Sequence, residues 1–133
     1  MIMEAKELMI GDWLYYRGQF NAFSFRVEQI TRKKVGYHAE PNECRVHYLR
    51  LSECQPVALT VNRLKLIGFE EVHNLHVLTV ENKVFPGKIF IEYNLSNGCL
   101  YINDGLIPRP ITCVHQLQHV FKLCGIEKEI TIY

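Results

Sequence analysis

Short stretches of alternating apolar and polar residues dominate the first half of the chain. Within 23–28, phenylalanine and valine alternate with serine, arginine and glutamate, which is the period of a strand with one buried face. Gly11 and Asp12 precede the aromatic run 13–16, and glycine before β-favouring aromatics predicts a tight turn leading into a strand. Polar turns separate two further short strands. We therefore predict a curled antiparallel sheet, or a small barrel, over residues 8–55.

Helical periodicity replaces alternation at residues 60–68. Apolar residues fall on one helical face, with polar residues off it. Thr60 precedes this stripe and can accept a hydrogen bond from the first turn, while Gly68 stands where a left-handed cap closes a helix. The segment predicts a helix of about two turns.

A second helical stripe lies within 113–124, where apolar residues recur at steps of three, four and three and end at Cys124. Thr112 is predicted to cap the start of this helix. Gly125 is predicted to end it, with Ile126 packing back onto the last turn.

Residues 75–103 predict a three-stranded meander between the two helices. The dipeptide Asn97-Gly98 favours a two-residue type I′ turn, which would place Leu95 opposite Leu100. Side-chain alternation would then put five apolar residues on one buried face: Ile91, Tyr93, Leu95, Leu100 and Ile102. A third strand over 75–80 is predicted to join them through turns at 82–83 and 86–87.

This order of elements predicts an α+β fold in a single domain of 133 residues. Hydrophobic residues make up 48% of the chain and charged residues 22%, with a net charge of +1, so the overall charge does not favour nucleic acid or membranes. The chain has no apolar leader at its start and no stretch near the ~18 apolar residues of a membrane span. Its five cysteines lack framework spacing, which favours reduced thiols in a cytoplasmic protein without a membrane partner.

Three segments resemble short proteins of Bacteroides-type genomes, prophages and mobile elements. They are 56–69, the closing helix 114–121 followed by Gly125, and the opening 8–14. Val61-Asn62 stands where acidic residues are usual in that group. The resemblance implies no activity, substrate or site residue.

The turn at Gly11-Asp12 into a strand resembles the first turn of SH3-like barrels, including Tudor-type and ribosomal-protein modules. This resemblance implies an SH3-like N-terminal half.

Two histidines on the last predicted helix are candidates for a metal site. His115 and His119 are four residues apart and share a face, as two ligands would. However, Gln116 occupies the place where a zincin motif needs a glutamate. The helical wheel puts both rings opposite the apolar stripe, so we expect a partner-facing or merely solvated pair and no metal.

Other arrangements of histidine and cysteine offer little chemistry. Cys44, His47, His73 and His76 could form a zinc set, although a three-residue spacing in a strand sends paired side chains to opposite faces. Cys113, at a helix start beside a histidine, either has a lowered thiol pKa or is a small residue of the first turn. The chain has no Gly-x-Ser-x-Gly elbow and no phosphate-binding glycine loop, so no pattern recommends an enzyme.

Aromatic residues crowd the first half of the chain. Along the first strand Trp13 and Tyr15 share one face, and Leu14 and Tyr16 share the other, so one set lies outside or beneath another element. Exposed aromatics beside basic residues could stack bases or hold a peptide; alternatively they fill a small core.

We therefore expect a non-enzymatic interaction module that docks a protein partner, or a second copy of itself, through the N-terminal sheet or the last helix. The candidate surface comprises Trp13, Tyr15, Arg26, Arg32, Lys33, Lys34, His115, Gln116 and His119. Nucleic-acid binding through the four basic residues of this set is the alternative, and a small-molecule or enzyme role in a cleft beside the last helix is the third hypothesis. No cofactor is expected.

Overall fold

The protein is described by a computed structural model over residues 3–40, 42–81 and 87–132. Its fold is mixed α+β, as the sequence predicts, with three antiparallel sheets and two α-helices among the described residues. The chain divides into two compact units, Met1–Val57 and Ala58–Tyr133; their grouping into one domain stays a prediction. None of the described helices is long and apolar enough to cross a membrane.

The first unit holds six short strands. They are β1 (Trp13–Arg17), β2 (Ala22–Arg26), β3 (Gln29–Ile30), β4 (Lys34–Tyr37), β5 (His47–Arg50) and β6 (Cys54–Pro56). They form two three-stranded antiparallel sheets, with the orders β2-β1-β6 and β3-β4-β5. Single 3-10 turns cover Ala5–Glu7 and Leu51–Glu53. The residues predicted to form one curled sheet therefore form two small sheets. The division falls between β2 and β3, which are close in sequence, because β3 pairs with β4 and not with β2.

The turn predicted at Gly11 is confirmed and has a local cause. Gly11 takes the left-handed value φ 93°, which glycine adopts without a steric penalty. Its N–H donates to the carbonyl oxygen of Val27 at 2.7 Å. The Asp12 carboxylate accepts from the N–H of Met9 at 2.8 Å. These bonds fix the direction in which β1 begins.

The core of the first unit is built by alternation along these strands. Leu14 and Phe25 lie directly opposite each other on β1 and β2, and both are buried, as are Val27 and Val35. The 3-10 turn adds Leu51 to the same cluster. Burial of each such side chain contributes roughly 1.5–3 kcal/mol, so alternation sets which face of each strand points inward.

The second unit is a five-stranded meander with two helices. Its elements are α1 (Val61–Ile67), β7 (Glu70–Val72), β8 (Leu75–Glu81), β9 (Lys88–Asn94), β10 (Cys99–Ile102), β11 (Gly105–Leu106) and α2 (Val114–Leu123). The sheet order is β11-β10-β9-β8-β7. Two short outer strands therefore extend the predicted three-stranded meander. The turn predicted at 82–83, and Pro86 of the turn predicted at 86–87, lie outside the described residues.

The caps of α1 agree with the sequence prediction. The Thr60 side chain accepts a hydrogen bond from the N–H of Arg63 at 3.2 Å. Gly68 takes φ 119° at the end of the helix, and the N–H of Phe69 donates to the carbonyl oxygen of Leu64 at 2.9 Å. This is the bond pattern of a Schellman cap.

The hairpin between β9 and β10 has a four-residue loop, 95–98, so the predicted type I′ turn is wrong. Asn94 pairs with Cys99 and Tyr93 with Leu100, a shift of two residues from the predicted register. Local side-chain bonds explain the longer loop: Asn94 Oδ1 accepts from the N–H of Ser96 at 3.0 Å, and Asn97 Oδ1 accepts from that of Cys99 at 2.9 Å. An even shift leaves the paired residues on their predicted faces, whereas Leu95, predicted to lie opposite Leu100, is in the loop.

The start of α2 differs from the prediction, whereas its end agrees. Cys113, not Thr112, occupies the N-cap position, and its side chain makes no capping hydrogen bond. The N–H of Thr112 donates to Gln116 Oε1 at 2.8 Å. The predicted Schellman cap is present, because the N–H of Ile126 donates to the carbonyl oxygen of Phe121 at 2.8 Å. Cys124 is exposed, so the buried stripe ends one step earlier than predicted.

Candidate functional site

Four aromatic side chains of the first unit form a continuous row at the edge of its core. We call Tyr16, Phe23, Tyr37 and His47 the aromatic row. Successive ring centroids lie 5.2 Å (Tyr16 to Phe23), 5.4 Å (Phe23 to Tyr37) and 5.4 Å (Tyr37 to His47) apart. All four side chains are half-buried. The row therefore keeps part of its aromatic surface in contact with solvent.

Strand register builds the row from two cross-strand pairs. Tyr16 lies directly opposite Phe23 across β1 and β2, and Tyr37 directly opposite His47 across β4 and β5. Directly opposite side chains of antiparallel strands point to the same face and contact each other. The buried Phe25 ring lies 5.2 Å from that of Tyr37 and joins the row to the core.

One carboxylate lies at the His47 end of the row. Glu43 Oε1 is 3.0 Å from His47 Nε2. The other oxygen of Glu43 is buried and has no hydrogen-bond partner among the described residues. The hydrogen bond with His47 lowers the pKa of the Glu43 carboxyl. Burial raises the pKa of Tyr37, and the nearby Glu43 charge adds to that rise.

A second carboxylate lies at the Tyr16 end. Burial raises the pKa of Tyr16, and the charge of Glu53 and its hydrogen bond to Tyr16 add to the rise. The Tyr16 ring folds over Gly18, where an added Cβ would lie 2.6 Å from ring carbon Cε2. Glycine is therefore required for this position of the ring. Both ends of the aromatic row thus carry negative charge.

The basic residues predicted as a surface separate into two places. Arg32, Lys33 and Lys34 lie in and beside the turn between β3 and β4 and are exposed. Arg26 lies on β2, in the other sheet of the unit, directly opposite Trp13. The four basic residues that the sequence analysis placed on one surface therefore lie in two separate places of the first unit.

Trp13 is buried, at 6% exposure, so its place in an exposed surface is wrong. The guanidinium carbon of Arg26 lies 5.9 Å from the centroid of the Trp13 ring, within the range of a cation–π contact. Tyr15 shares this face of β1, opposite Ser24, and is half-buried. Alternation places Trp13 on the face opposite Leu14 correctly, but it does not reveal that both faces are covered at this strand.

His115 is also buried, at 6% exposure, which contradicts the expected solvent-facing pair. Its ring centroid lies 5.6 Å from that of the half-buried His119. Gln116 is half-buried and accepts a hydrogen bond from the N–H of Thr112, so its side chain stabilises the start of the helix. The first turn of α2 buries residues on more than one side, and a helical wheel that assumes one buried stripe misses this.

Burial of His115 brings it against a thiol. Cys113 Sγ lies 3.5 Å from His115 Nδ1, and Cys113 is itself buried. Tyr93 is nearby: burial raises the pKa of Tyr93, and the charges of Cys113 and Cys99 add to the rise. A thiol beside an imidazole is the pair that thiolate chemistry uses, but here both groups are shielded from solvent.

No three histidine, cysteine, aspartate or glutamate side chains of the described ranges come together in a way that could hold a metal ion. Cys44 and His47 lie in the first unit, and His73 and His76 in the second. His76 is buried at 5% exposure, and its Nδ1 has no hydrogen-bond partner within the described part of the chain.

Sequence reasoning missed the aromatic row as a unit. Alternation does place Tyr16 on the Leu14 face, but the pairing of β4 with β5 depends on a loop of unpredictable length around Glu43.

Comparisons with protein-family models, with curated proteins and with solved structures give no match to this chain.

Proposed function

We propose that the chain is a non-enzymatic protein-interaction module, and that its first unit binds a positively charged segment of a partner protein on the aromatic row. The observation that carries the proposal is a half-exposed row of four aromatic rings with a carboxylate at each end.

Ring chemistry favours a cationic ligand. The faces of tyrosine and phenylalanine rings carry partial negative charge and attract guanidinium and ammonium groups. The Glu43 carboxylate, whose pKa is lowered by its hydrogen bond with His47, adds negative charge that attracts such a group to that end of the row. Arginine satisfies both features at once, because its planar guanidinium stacks on rings and donates several hydrogen bonds.

Exposed apolar surface next to the row supports docking of a polypeptide. Phe20, in the loop that leads from Tyr16 to Phe23, is 92% exposed. A fully exposed phenylalanine beside half-exposed rings enlarges the apolar surface that a partner can cover.

An SH3-like fold of the first unit is part of the proposal. The two small antiparallel sheets and the 3-10 turn at Leu51–Glu53, just before the last strand, support it. Such barrels host many unrelated functions, so the partner is inferred from the aromatic row and not from the fold. The cytoplasmic location and the mobile-element origin stay predictions.

Titration of the isotope-labelled protein with two labelled twelve-residue peptides tests the proposal. One peptide carries three arginines and the other carries glutamine at the same positions. We expect the arginine peptide to bind more tightly and to shift the amide signals of Tyr16, Phe23, Tyr37 and His47 first. Equal affinity of the two peptides, or shifts confined to the second unit, contradicts the proposal.

Three variants define the contribution of the row. Tyr37→Leu should weaken binding about 2- to 30-fold, the equivalent of roughly 0.5–2 kcal/mol of cation–π attraction, whereas Tyr37→Phe should retain most of it. Glu43→Gln should weaken binding of the arginine peptide, and Glu28→Gln, an exposed acid outside the row, serves as its matched control. Mass measurement in solution separates a peptide partner from a second copy of the chain.

A further inference from the structure

The outer face of the sheet β3-β4-β5 carries positive charge around one exposed aromatic ring. Lys34, Tyr48 and Arg50 lie on this face of the strands, and Arg32 and Lys33 lie in the turn beside it; we call these five residues the basic face. All five are exposed, and Tyr48 is 50% exposed. The strand residues of the basic face point away from Tyr37 and His47 of the aromatic row, because successive residues of a strand point to opposite faces.

The strand register places two positively charged side chains of the basic face next to each other. Lys34 on β4 lies directly opposite Arg50 on β5. Like charges at directly opposite positions destabilise a sheet. None of the four basic side chains forms an ion pair with a residue in the described ranges.

The Tyr48 ring lies across the sheet and is held there. Its hydroxyl donates to Gln29 Oε1 at 2.5 Å, so the side chain runs from β5 over β4 to β3. Beneath it is Gly36, where an added Cβ would lie 3.2 Å from a Tyr48 ring carbon and 2.6 Å from Val46 Cγ1. The absence of a side chain at Gly36 lets the ring lie against the backbone with its other face in solvent.

We propose that the basic face binds single-stranded nucleic acid. A flat, fixed and half-exposed ring is a platform on which an unpaired base can stack. Lys34 and Arg50 lie two residues farther along the same strands, where they can contact the phosphates beside the stacked base. Arg32 and Lys33 in the adjoining turn extend this contact.

Single strands suit the site better than duplexes or acidic proteins. A base inside a duplex is already stacked on its neighbours and is not available to Tyr48. An acidic polypeptide would satisfy the charges but offers no planar group for the ring. The site thus differs from the aromatic row in ligand charge and in position.

Fluorescence anisotropy of the full chain with a labelled twenty-nucleotide single strand of mixed sequence tests this assignment. At low salt we expect saturable binding. Its dependence on salt should have a log–log slope of about −2.8, the value for four phosphate contacts at about 0.7 each on a single strand. The Lys34→Gln/Arg50→Gln variant should halve the slope to about −1.4. The control Lys65→Gln/Lys122→Gln, which changes two exposed lysines of the second unit, should retain the original slope.

Tyr48 separates stacking from simple charge attraction. Tyr48→Ala should weaken binding about 5- to 150-fold, whereas Tyr48→Phe, which keeps the ring, should stay close to wild type. Gly36→Ala, whose added Cβ would lie 3.2 Å from the ring, should displace the ring only slightly and weaken binding less than Tyr48→Ala. Circular dichroism checks that each variant folds.

Several results would overturn the assignment without any variant. They are an absence of binding at 20 mM salt, equal affinity for the duplex of the same sequence, and equal affinity for polyglutamate of matched charge. The last result would identify the basic face as a docking site for an acidic protein.

Discussion

Lys34 and Arg50 offer a direct measurement of the electrostatic strain on the basic face. They lie directly opposite each other on neighbouring strands, and both are exposed. Reversing one charge, in Lys34→Glu or Arg50→Glu, converts their repulsion into attraction. Each single variant should therefore be more stable than the natural protein, which is the reverse of what most substitutions do.

The size of the gain follows from the geometry. The Cβ atoms of directly opposite residues lie about 5 Å apart, and we take about 7 Å for two like charges that turn away from each other at the ends of long side chains. Two like charges at this separation in water repel by roughly 0.6 kcal/mol, so a change of sign alters the interaction by roughly 1.2 kcal/mol. At 0.15 M salt the screening length is about 8 Å, and the gain falls to about 0.5 kcal/mol.

Urea unfolding of a double-mutant cycle provides the assay. The Lys34→Glu/Arg50→Glu protein again has like charges opposite each other, so its stability should return close to that of the natural protein. The coupling energy of the cycle should approach 2 kcal/mol at 10 mM salt, twice the effect of one reversal. It should vanish in 1 M salt, where the screening length is about 3 Å.

A second cycle pairs Lys33→Glu with Arg50→Glu and serves as the control. Lys33 lies in the turn and has no residue directly opposite it in the register, so its coupling should stay below about 0.5 kcal/mol. Single reversals that destabilise the protein, or a coupling that persists in 1 M salt, would refute the reasoning. In that case the charges do not interact across the strands.

Three further results are expected. Tyr93→Phe should destabilise the protein by about 1–3 kcal/mol, because the buried Tyr93 hydroxyl donates to the carbonyl oxygen of Ile111 at 2.5 Å. As the control, Tyr101→Phe changes a half-buried ring on the next strand and should alter the free energy of unfolding by less than about 0.5 kcal/mol in the same urea assay. Burial raises the pKa of Tyr93, so the neutral phenol stabilises the fold below about pH 10 and this contribution is lost as the pH rises through the raised pKa. The gap between wild type and Tyr93→Phe should therefore shrink in alkaline titrations, and a constant gap would contradict the assigned cause. Thr60→Ala should cost about 1 kcal/mol, because it removes the bond from the N–H of Arg63, whereas Thr60→Ser should cost little; equal losses in urea unfolding would show that the cap bond is not responsible.

Local chemistry explains which parts of the fold are predictable from sequence. The helix at 60–68 has a hydroxyl cap, an apolar stripe and a closing glycine within nine residues, and each signal acts only on its neighbours. The turn at Gly11 likewise depends on adjacent residues. The prediction of a type I′ turn at Asn97-Gly98 is wrong because the Asn94 side chain, outside the dipeptide, accepts a hydrogen bond from the N–H of Ser96 and so favours a longer loop.

Long-range pairing explains most of what the sequence does not reveal. Glu43 lies in a loop, and only the pairing of β4 with β5 brings it to the aromatic row. The repulsion between Lys34 and Arg50 has the same origin, since fifteen intervening positions give no signal of it. His115 was misplaced because a helical wheel treats a helix as covered on one side only.

The basic face and the Tyr37–His47 half of the aromatic row follow from a single register. On β4 the residues alternate between Lys34, which points outward, and Tyr37, which joins the aromatic row; on β5 Arg50 points outward and His47 inward. A slip of one residue in this pairing would exchange the two sets of side chains. It would also bury lysine and arginine in the core, at a cost far above the stability of a small unit. The apolar core therefore fixes the register, and the register places Tyr37 and His47 on one face and Lys34 and Arg50 on the other. The two proposed ligands, a basic peptide and a single-stranded nucleic acid, would therefore bind opposite faces of the sheet β3-β4-β5 without competing for the same residues.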